Sequence, residues 1–287
     1  MRKPLTVVPF ALLALLALAV PRAAAQSRGT WAIHPAENGS TLRLRLETSN
    51  AEHGSFDISR PLKLAELRGL TAAQMAAPSG ATVHFQILRE AGTFTCDGYF
   101  RQRRGGGTFT FRANPRFGPA LRALGISGVD RNKVRAMAFL DVTTGWTRQL
   151  KAAGVNVHTA DQLVKMGIFR VTPEYVRSLR SLGYAVTQPG ELVKLRIFHV
   201  TADSIRQLRQ AGYHPNADQL VKMSIFKVTP EFISQVKQLG YAHPSIDELV
   251  KMRIFHVTPD YIRTMRSRGL KNLTIAKLVR MRIAGIN

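Results

Sequence analysis

Basic side chains recur at fixed places in the second half of this sequence, and their chemistry is the clearest that the chain offers. Guanidinium and ammonium groups bind carboxylates and phosphates through charged hydrogen bonds. One basic residue in each repeated segment therefore predicts a row that faces an anionic partner. The first basic row consists of Arg122, Lys151, Arg180, Arg209, Lys237 and Arg266, and the second basic row consists of Lys165, Lys194, Lys222, Lys251 and Arg280.

The same rows also have a purely structural interpretation. Acidic residues fall in the first turns of the expected helices and many basic residues fall in the last turns, which complements the helix dipoles. Dipole matching needs no excess of one sign, yet residues 114–287 contain 27 Lys and Arg against 11 Asp and Glu. From the sequence, helix stabilisation and an anion-facing surface both stay open as explanations.

A third row is partly titratable, because histidine changes its charge near neutral pH. It consists of Arg170, His199, Lys227 and His256. The sequence contains no His-Glu-x-x-His, no Gly-x-Ser-x-Gly and no phosphate-binding loop. Cys96 is the single cysteine, which excludes an internal disulfide and a multi-cysteine zinc site. We therefore expect no cofactor and no enzymatic activity; the alternative is an enzyme whose site in the strand region is not recognisable from sequence.

The rows belong to a tandem repeat of about 29 residues. Near-copies of one segment follow each other, such as "KVTPEFISQVKQLGYAHPSIDELVKMRIF" and "HVTPDYIRTMRSRGLKNLTIAKLVRMRI". A glycine recurs in step with them. A period of this length predicts a stacked array, here an α-solenoid of six helix-turn-helix units. The units begin at residues 114, 143, 172, 201, 229 and 258.

Each unit carries the signals that begin and end two short helices. Thr172 is an expected N-cap, and Pro173 suits the first helical position. Gly183 supplies the left-handed residue that ends this helix. Ser245 and Glu248 form a capping box at the start of a second helix. Because "ELVKMRIF" is apolar on most sides, we expect this second helix to be buried between its neighbours.

The region before the repeats, residues 26–113, has a different rhythm. In "TLRLRLET", Leu42, Leu44 and Leu46 alternate with arginines, and "TVHFQIL" and "GTFTCDGYF" alternate similarly. A period of two predicts antiparallel strands. "RQRRGGG" is expected to be a turn. The chain is thus predicted to be α+β, with a small N-terminal antiparallel β-sandwich or barrel followed by the helical repeats.

The first residues have the features of a secretory signal peptide. Arg2 and Lys3 precede an apolar stretch from Val7 to Val20, and small residues lead to an expected cleavage after Ala25. Residues 1–25 are therefore assigned to a signal peptide, and the protein is expected to be periplasmic or extracellular. No other segment is expected to cross a membrane. The net charge of +23 favours an anionic partner.

The segment "VTPEYVRSLRSLGY…ELVKLRIF" resembles repeats of uncharacterised secreted bacterial proteins. It is also similar to repeats in the extracytoplasmic tails of some membrane metallopeptidases of the beta-lactam-sensor type. The strand segment "GTFTCDGYFRQRRGGGTFTFRANPRF" is similar to the one that precedes such repeats. The resemblance implies an extracytoplasmic location and a sensing or interaction role. It implies no catalytic residues, because this chain lacks the peptidase's membrane helices and zinc motif.

Two functions are compatible with these features. The first is a protein-interaction scaffold or sensor-associated module in the bacterial envelope. The alternative is an electrostatic binder of an anionic polymer or membrane surface, which uses the basic rows. Specific nucleic-acid recognition is not expected, since the sequence lacks exposed aromatic residues between the basic ones for base stacking.

Overall fold

The computed structural model describes residues 27–36, 41–48 and 56–287 and has an α+β architecture. In these ranges a six-stranded antiparallel sheet is followed by a run of twelve helices, as the two sequence rhythms predicted. The expected signal peptide lies outside the described residues. None of the described helices combines the length and the apolar composition of a bilayer span.

The sheet has the strand order β3-β2-β1-β6-β5-β4, and every neighbouring pair is antiparallel. Buried and exposed side chains alternate along β2, where Leu42, Leu44 and Leu46 are buried. Cys96 is also fully buried, and burial raises the pKa of its thiol. The strands are β1 (Ser27–Pro35), β2 (Leu42–Thr48), β3 (Phe56–Leu62), β4 (Ala81–Arg89), β5 (Gly92–Arg101) and β6 (Arg104–Ala113).

The expected sandwich or barrel is replaced by one open sheet in the described ranges. All six strands belong to a single hydrogen-bonded sheet, with β3 and β4 at its edges. The chain between these edges forms one 3-10 turn (Leu64–Glu66) and α1 (Ala72–Ala76). Within this connection, Arg68 exchanges two backbone hydrogen bonds of 2.8 Å with Gln86 of β4. The outer edge of β4 is thereby occupied at this point by the connection instead of by β3.

The glycine run at residues 105–107 is part of a strand, which corrects the expected turn. The β5–β6 turn lies at Gln102 and Arg103, whose φ angles are 49° and 64°. Gly105–Gly107 pair with β1 on one side and β5 on the other. A Cβ atom on Gly107 would lie 2.0 Å from the carbonyl oxygen of Asp97. These glycines therefore allow a close backbone approach within the sheet.

The twelve later helices form six pairs. The first helices of the pairs are α2 (Phe117–Ala123), α4 (Thr144–Ala152), α6 (Pro173–Ser181), α8 (Ala202–Gln210), α10 (Pro230–Gln238) and α12 (Pro259–Ser267). The second helices are α3 (Arg131–Leu140), α5 (Ala160–Ile168), α7 (Pro189–Ile197), α9 (Ala217–Ile225), α11 (Ile246–Ile254) and α13 (Ile275–Ile283).

The helix boundaries follow the capping signals in the sequence. The Thr172 hydroxyl accepts a hydrogen bond from the Tyr175 amide at 3.2 Å, and the Ser245–Glu248 capping box is present. The first unit differs, because α2 begins after Arg116. The Asn114 side chain instead accepts a hydrogen bond from the Arg116 amide, so it does not cap the helix directly.

Successive units contact each other through equivalent helices. Each second helix from α3 to α11 contacts the second helix of the next unit, and α2, α4, α6 and α8 contact in the same sequential manner. The sheet joins this packing at the first unit, where α3 contacts β5 and β6. The Phe139 ring of α3 lies edge-on to Phe94 of β5, with ring centroids 6.4 Å apart.

Candidate interaction surface

Three members of the first basic row hydrogen-bond to the helix of the preceding unit. Lys237 Nζ donates to the carbonyl oxygen of Ala211 at 2.6 Å, and Arg266 donates to Leu239 at 2.6 Å. Arg209 donates to the Leu182 carbonyl in the same way. These carbonyls belong to the C-cap residues of α6, α8 and α10. A cation at this position satisfies an unpaired carbonyl and complements the negative end of the helix dipole.

The same three cations also lie over aromatic rings of the preceding unit. The charged groups of Arg209, Lys237 and Arg266 are 5.5–5.8 Å from the ring centroids of tyrosines. Those rings in turn donate hydrogen bonds of 2.6–2.7 Å from their hydroxyls to carbonyls of the next unit. We call this set the first-helix seam; it consists of Arg209, Lys237, Arg266, Tyr184, Tyr213 and Tyr241.

The earlier members of the first basic row take up related positions. The Arg180 guanidinium lies against Gly154, 2.7 Å from the point where a Cβ atom would be, and Lys151 Nζ lies 3.8 Å from the equivalent point on Gly125. Arg122 lies beside Gly118 of its own helix. Most of the first basic row is thus directed at the ends of neighbouring helices, which favours the structural interpretation of this row.

All members of the second basic row are exposed. Lys194 pairs with Asp218 at 3.2 Å and Lys222 pairs with Asp247 at 2.6 Å, in each case across a unit boundary. The hydrogen bond from Lys222 lowers the pKa of Asp247. Among the described residues, Lys165, Lys251 and Arg280 form no ion pair. This row therefore combines links between units with unpaired positive charges on the surface.

The structure reveals a row of exposed isoleucines that the sequence reasoning missed. We call it the isoleucine ridge; it consists of Ile168, Ile197, Ile225, Ile254 and Ile283, which are 42% to 63% exposed. Each is the last residue of a second helix. The expectation that these helices are buried on most sides is correct for most of their Leu and Met residues but wrong for the terminal isoleucine. The sequence signal that could have revealed the ridge is the repeated Ile-Phe pair at the ends of these helices.

The second basic row runs beside the isoleucine ridge. Each of its members precedes a ridge residue by three positions, as Lys194 precedes Ile197. Residues three apart on a helix are neighbours on its surface. The prediction from sequence thus identified basic residues of this surface without the apolar residues beside them.

The third row also lies beside the ridge, two residues after its isoleucines, in a strained backbone conformation. The φ angles of Arg170, His199, Lys227 and His256 lie between 51° and 54°, and all four residues are exposed. For a residue with a Cβ atom, this left-handed conformation has an energetic cost of roughly 1–2 kcal/mol. At the ends of the first helices the same conformation is taken by a glycine in every unit. The chain therefore tolerates strain at the ends of the second helices and retains a side chain there.

Two clefts open on this face. A cleft of about 470 Å³ is lined by Arg60 of β3 together with Trp146, Gly167, Ile168 and Arg170. A second cleft, of about 320 Å³, lies between Ile225 and Lys227 of one unit and Arg253 and His256 of the next. Each cleft contains a ridge isoleucine and a residue of the third row. We call the ridge, the two basic rows beside it and these clefts the ridge surface.

In the first unit the sheet covers the position equivalent to the ridge. Phe139 occupies this position and is only 3% exposed, because α3 packs on β5 and β6. Arg60 of β3 donates a hydrogen bond of 2.7 Å to the Phe139 carbonyl oxygen. Burial lowers the pKa of Arg60, and the neighbouring Arg89 lowers it further. The molecule thus contains one example of this helix end packed against another structural element.

The described residues offer little for other chemistry. They contain no group of three or more His, Cys, Asp or Glu side chains that could hold a metal ion. On the sheet, His84 Nδ1 and Asp97 Oδ1 lie 2.6 Å apart, a pair absent from the sequence predictions. Both side chains are more than 60% exposed. In the described part of the chain no Ser, Thr or Cys side chain hydrogen-bonds to this pair.

Comparisons with protein-family models, with curated proteins and with solved structures find no match to this chain.

Proposed function

We propose that this chain is a non-enzymatic, exported interaction protein of the bacterial envelope or exterior, which holds a protein partner on the ridge surface. In this proposal the six helical units stack as an α-solenoid and act as a scaffold. The contacts between equivalent helices of successive units support the stacking. The isoleucine ridge is the observation that carries the function.

The ridge favours a protein partner because of its regularity. A single exposed isoleucine is ordinary on a protein surface, whereas a row of five is an apolar strip that water solvates poorly. The covered Phe139 supports the same use, because it is the one ridge-equivalent position in the described units that already packs against a sheet. Export is supported by the leader-like residues 1–25 and by the resemblance to secreted repeat proteins.

A capture experiment with matched variants tests this proposal. The full-length chain is immobilised and exposed to an envelope extract of its own cells. The ridge variant Ile197→Ser/Ile225→Ser is compared with the control variant Leu88→Ser/Leu270→Ser, which replaces two exposed leucines outside the ridge by serine. We expect one protein to be retained by the wild type and by the control variant but lost from the ridge variant.

Equal retention by all three chains would overturn the proposal. Thermal unfolding of each variant checks that the fold is intact, and little change is expected because the substituted residues are exposed.

The unpaired charges of Lys165, Lys251 and Arg280 favour a second candidate, an electrostatic binder of an anionic polymer or membrane surface. Such binding weakens steeply with salt, because bound counterions are released on association. Mixed anionic material that is retained at about 0.15 M salt and lost at about 0.5 M would support this candidate. A single protein that survives the same wash would support the scaffold.

A further inference from the structure

We infer that the partner of the ridge surface is an acidic, extended segment that carries an apolar side chain at every third residue. This inference rests on the proposed scaffold function and adds the chemistry and the spacing of what binds there. It follows from three properties of the surface: its apolar centre, its charged flanks and its repeat distance.

The exposed isoleucines at the centre of the ridge surface favour a partner with apolar side chains. Ile197, Ile225 and Ile254 expose more than two fifths of their area. The cleft between the fourth and fifth units is lined by Ile225 and Phe226 together with Lys227, Arg253 and His256, and its volume of about 320 Å³ is large enough for a side chain. A flat lipid surface does not fill such clefts, whereas a peptide side chain does.

The basic residues beside the ridge favour a partner with negative charge. Lys165 and Lys251 lie on one side of the ridge, three residues before Ile168 and Ile254, without an ion pair to a described residue. Arg170 and Lys227 line the clefts beside the ridge, two residues after a ridge isoleucine. Asp218 and Asp247 also lie near the surface, but each is paired with a lysine of the second basic row.

A segment of the opposite charge is therefore attracted along the apolar strip. Asp141 is the acidic exception in the third-row position, and it lies in the large cleft beside Arg60 and Arg170.

The distance between successive ridge isoleucines favours one conformation of the bound segment. Helices that pack side by side are about 8–10 Å apart, so ridge residues recur at about that distance. A polyproline II chain rises about 3.1 Å per residue with three residues per turn, which places every third side chain on one face at about 9 Å intervals. A β-strand alternates its faces, so every third side chain would point away. The segment that matches the ridge therefore has a three-residue period.

Binding of synthetic peptides to the full-length chain tests this inference by fluorescence anisotropy. The probe is a repeat of Leu-Glu-Pro of about 15 residues, which gives five turns of polyproline II. The comparison peptides are the Leu-Lys-Pro repeat and a scrambled Leu-Glu-Pro peptide with its leucines clustered. We expect the acidic periodic peptide to bind at least about tenfold more tightly than either one.

Two protein variants locate the binding site. Ile197→Ser/Ile225→Ser is expected to weaken binding by at least about tenfold, since two apolar contacts are removed. Lys165→Gln/Lys251→Gln is expected to weaken binding by about threefold to tenfold and to reduce its salt dependence. Leu88→Ser/Leu270→Ser is the control that leaves binding unchanged.

Equal binding of the acidic and basic peptides, or of the wild type and the ridge variant, would overturn the inference. Preferential binding to vesicles of anionic lipid, lost in the ridge variant, would also overturn it and assign the surface to membranes. If the ridge variant loses an envelope protein in the capture experiment while the peptides fail to bind, the scaffold function stands and the inferred partner chemistry is wrong. If neither experiment depends on the ridge, the proposed function itself fails.

Discussion

The ends of the first helices and the ends of the second helices use the same residue types for different purposes. At the first-helix seam, Arg209, Lys237 and Arg266 turn toward carbonyls and tyrosine rings of the preceding unit. At the ends of the second helices, exposed isoleucines stand between basic side chains that remain largely on the surface. Both sets of ends are joined to the next unit, since Arg196 and Arg253 donate to the carbonyl oxygens of Phe169 and Phe226 at the ends of second helices. Only the ends of the second helices also leave a row of isoleucines exposed.

This difference teaches that a periodic row of charges does not identify a binding site by itself. Both basic rows recur once per unit, and both suit helix C-termini. What separates them is the group that each cation meets. A carbonyl of the preceding unit satisfies a seam cation internally, whereas an unpaired lysine beside an apolar strip can attract a partner.

Removal of a seam cation gives the largest expected effect on stability. Arg209→Met leaves the Leu182 carbonyl without its charged donor, and we expect a loss of about 2 kcal/mol in the free energy of unfolding. Lys165→Met, on the free surface, is expected to change it by less than about 0.5 kcal/mol. Urea denaturation of both variants makes the comparison. Equal midpoints for the two would mean that the seam contributes no more than the surface row.

Two substitutions that exchange the residue types of the two kinds of helix end give smaller effects on stability. One is expected to destabilise the protein and the other to stabilise it. Gly183 has a φ of 80° with free space around it, so Gly183→Ala is expected to lose about 1 kcal/mol through backbone strain alone. His199→Gly relieves the same strain and is expected to gain about 0.5–1 kcal/mol, less than the full amount because glycine also frees the unfolded chain. Thermal unfolding measures both. A destabilised His199→Gly variant would show that the side chain makes a stabilising contact.

The ion pairs beside the ridge give the smallest effect, which is local and depends on pH. Lys222→Ala is expected to raise the pKa of Asp247 toward its ordinary value, because the lowering hydrogen bond is lost. Lys194→Ala is the matched control, since Lys194 pairs with Asp218 instead. Carboxyl carbon chemical shifts followed between about pH 7 and pH 2 measure this pKa.

The sign of the pH effect follows from the direction of the shift. A carboxyl whose pKa is lowered by folding stabilises the protein above its unfolded pKa, and this contribution is lost as pH falls through the folded pKa. The wild type and Lys222→Ala should therefore differ near neutral pH and converge in acid. A difference that persists unchanged in acid would contradict the assignment of the pair.

The local structure of the chain was largely predictable from its sequence. Thr172 and Ser245 cap the helices that their spacing predicted, and Gly183 adopts the expected left-handed conformation. The alternation of Leu42, Leu44 and Leu46 predicted a strand with one buried face. These features depend on interactions among residues close together in the chain, which explains why a linear pattern is sufficient.

The tertiary structure alone decided which rows point inward and which residues stay exposed. The sequence identified Arg209 and Lys222 as members of two similar rows, yet one meets a carbonyl of the preceding unit and the other an aspartate of the next. The repeated Ile-Phe pair did not show which of its two residues is exposed, and no pattern indicated that Arg68 occupies the edge of β4. Helical periodicity determines the face of a residue on its own helix. Its burial depends on where the neighbouring helix or strand ends, which only the packing of distant segments specifies.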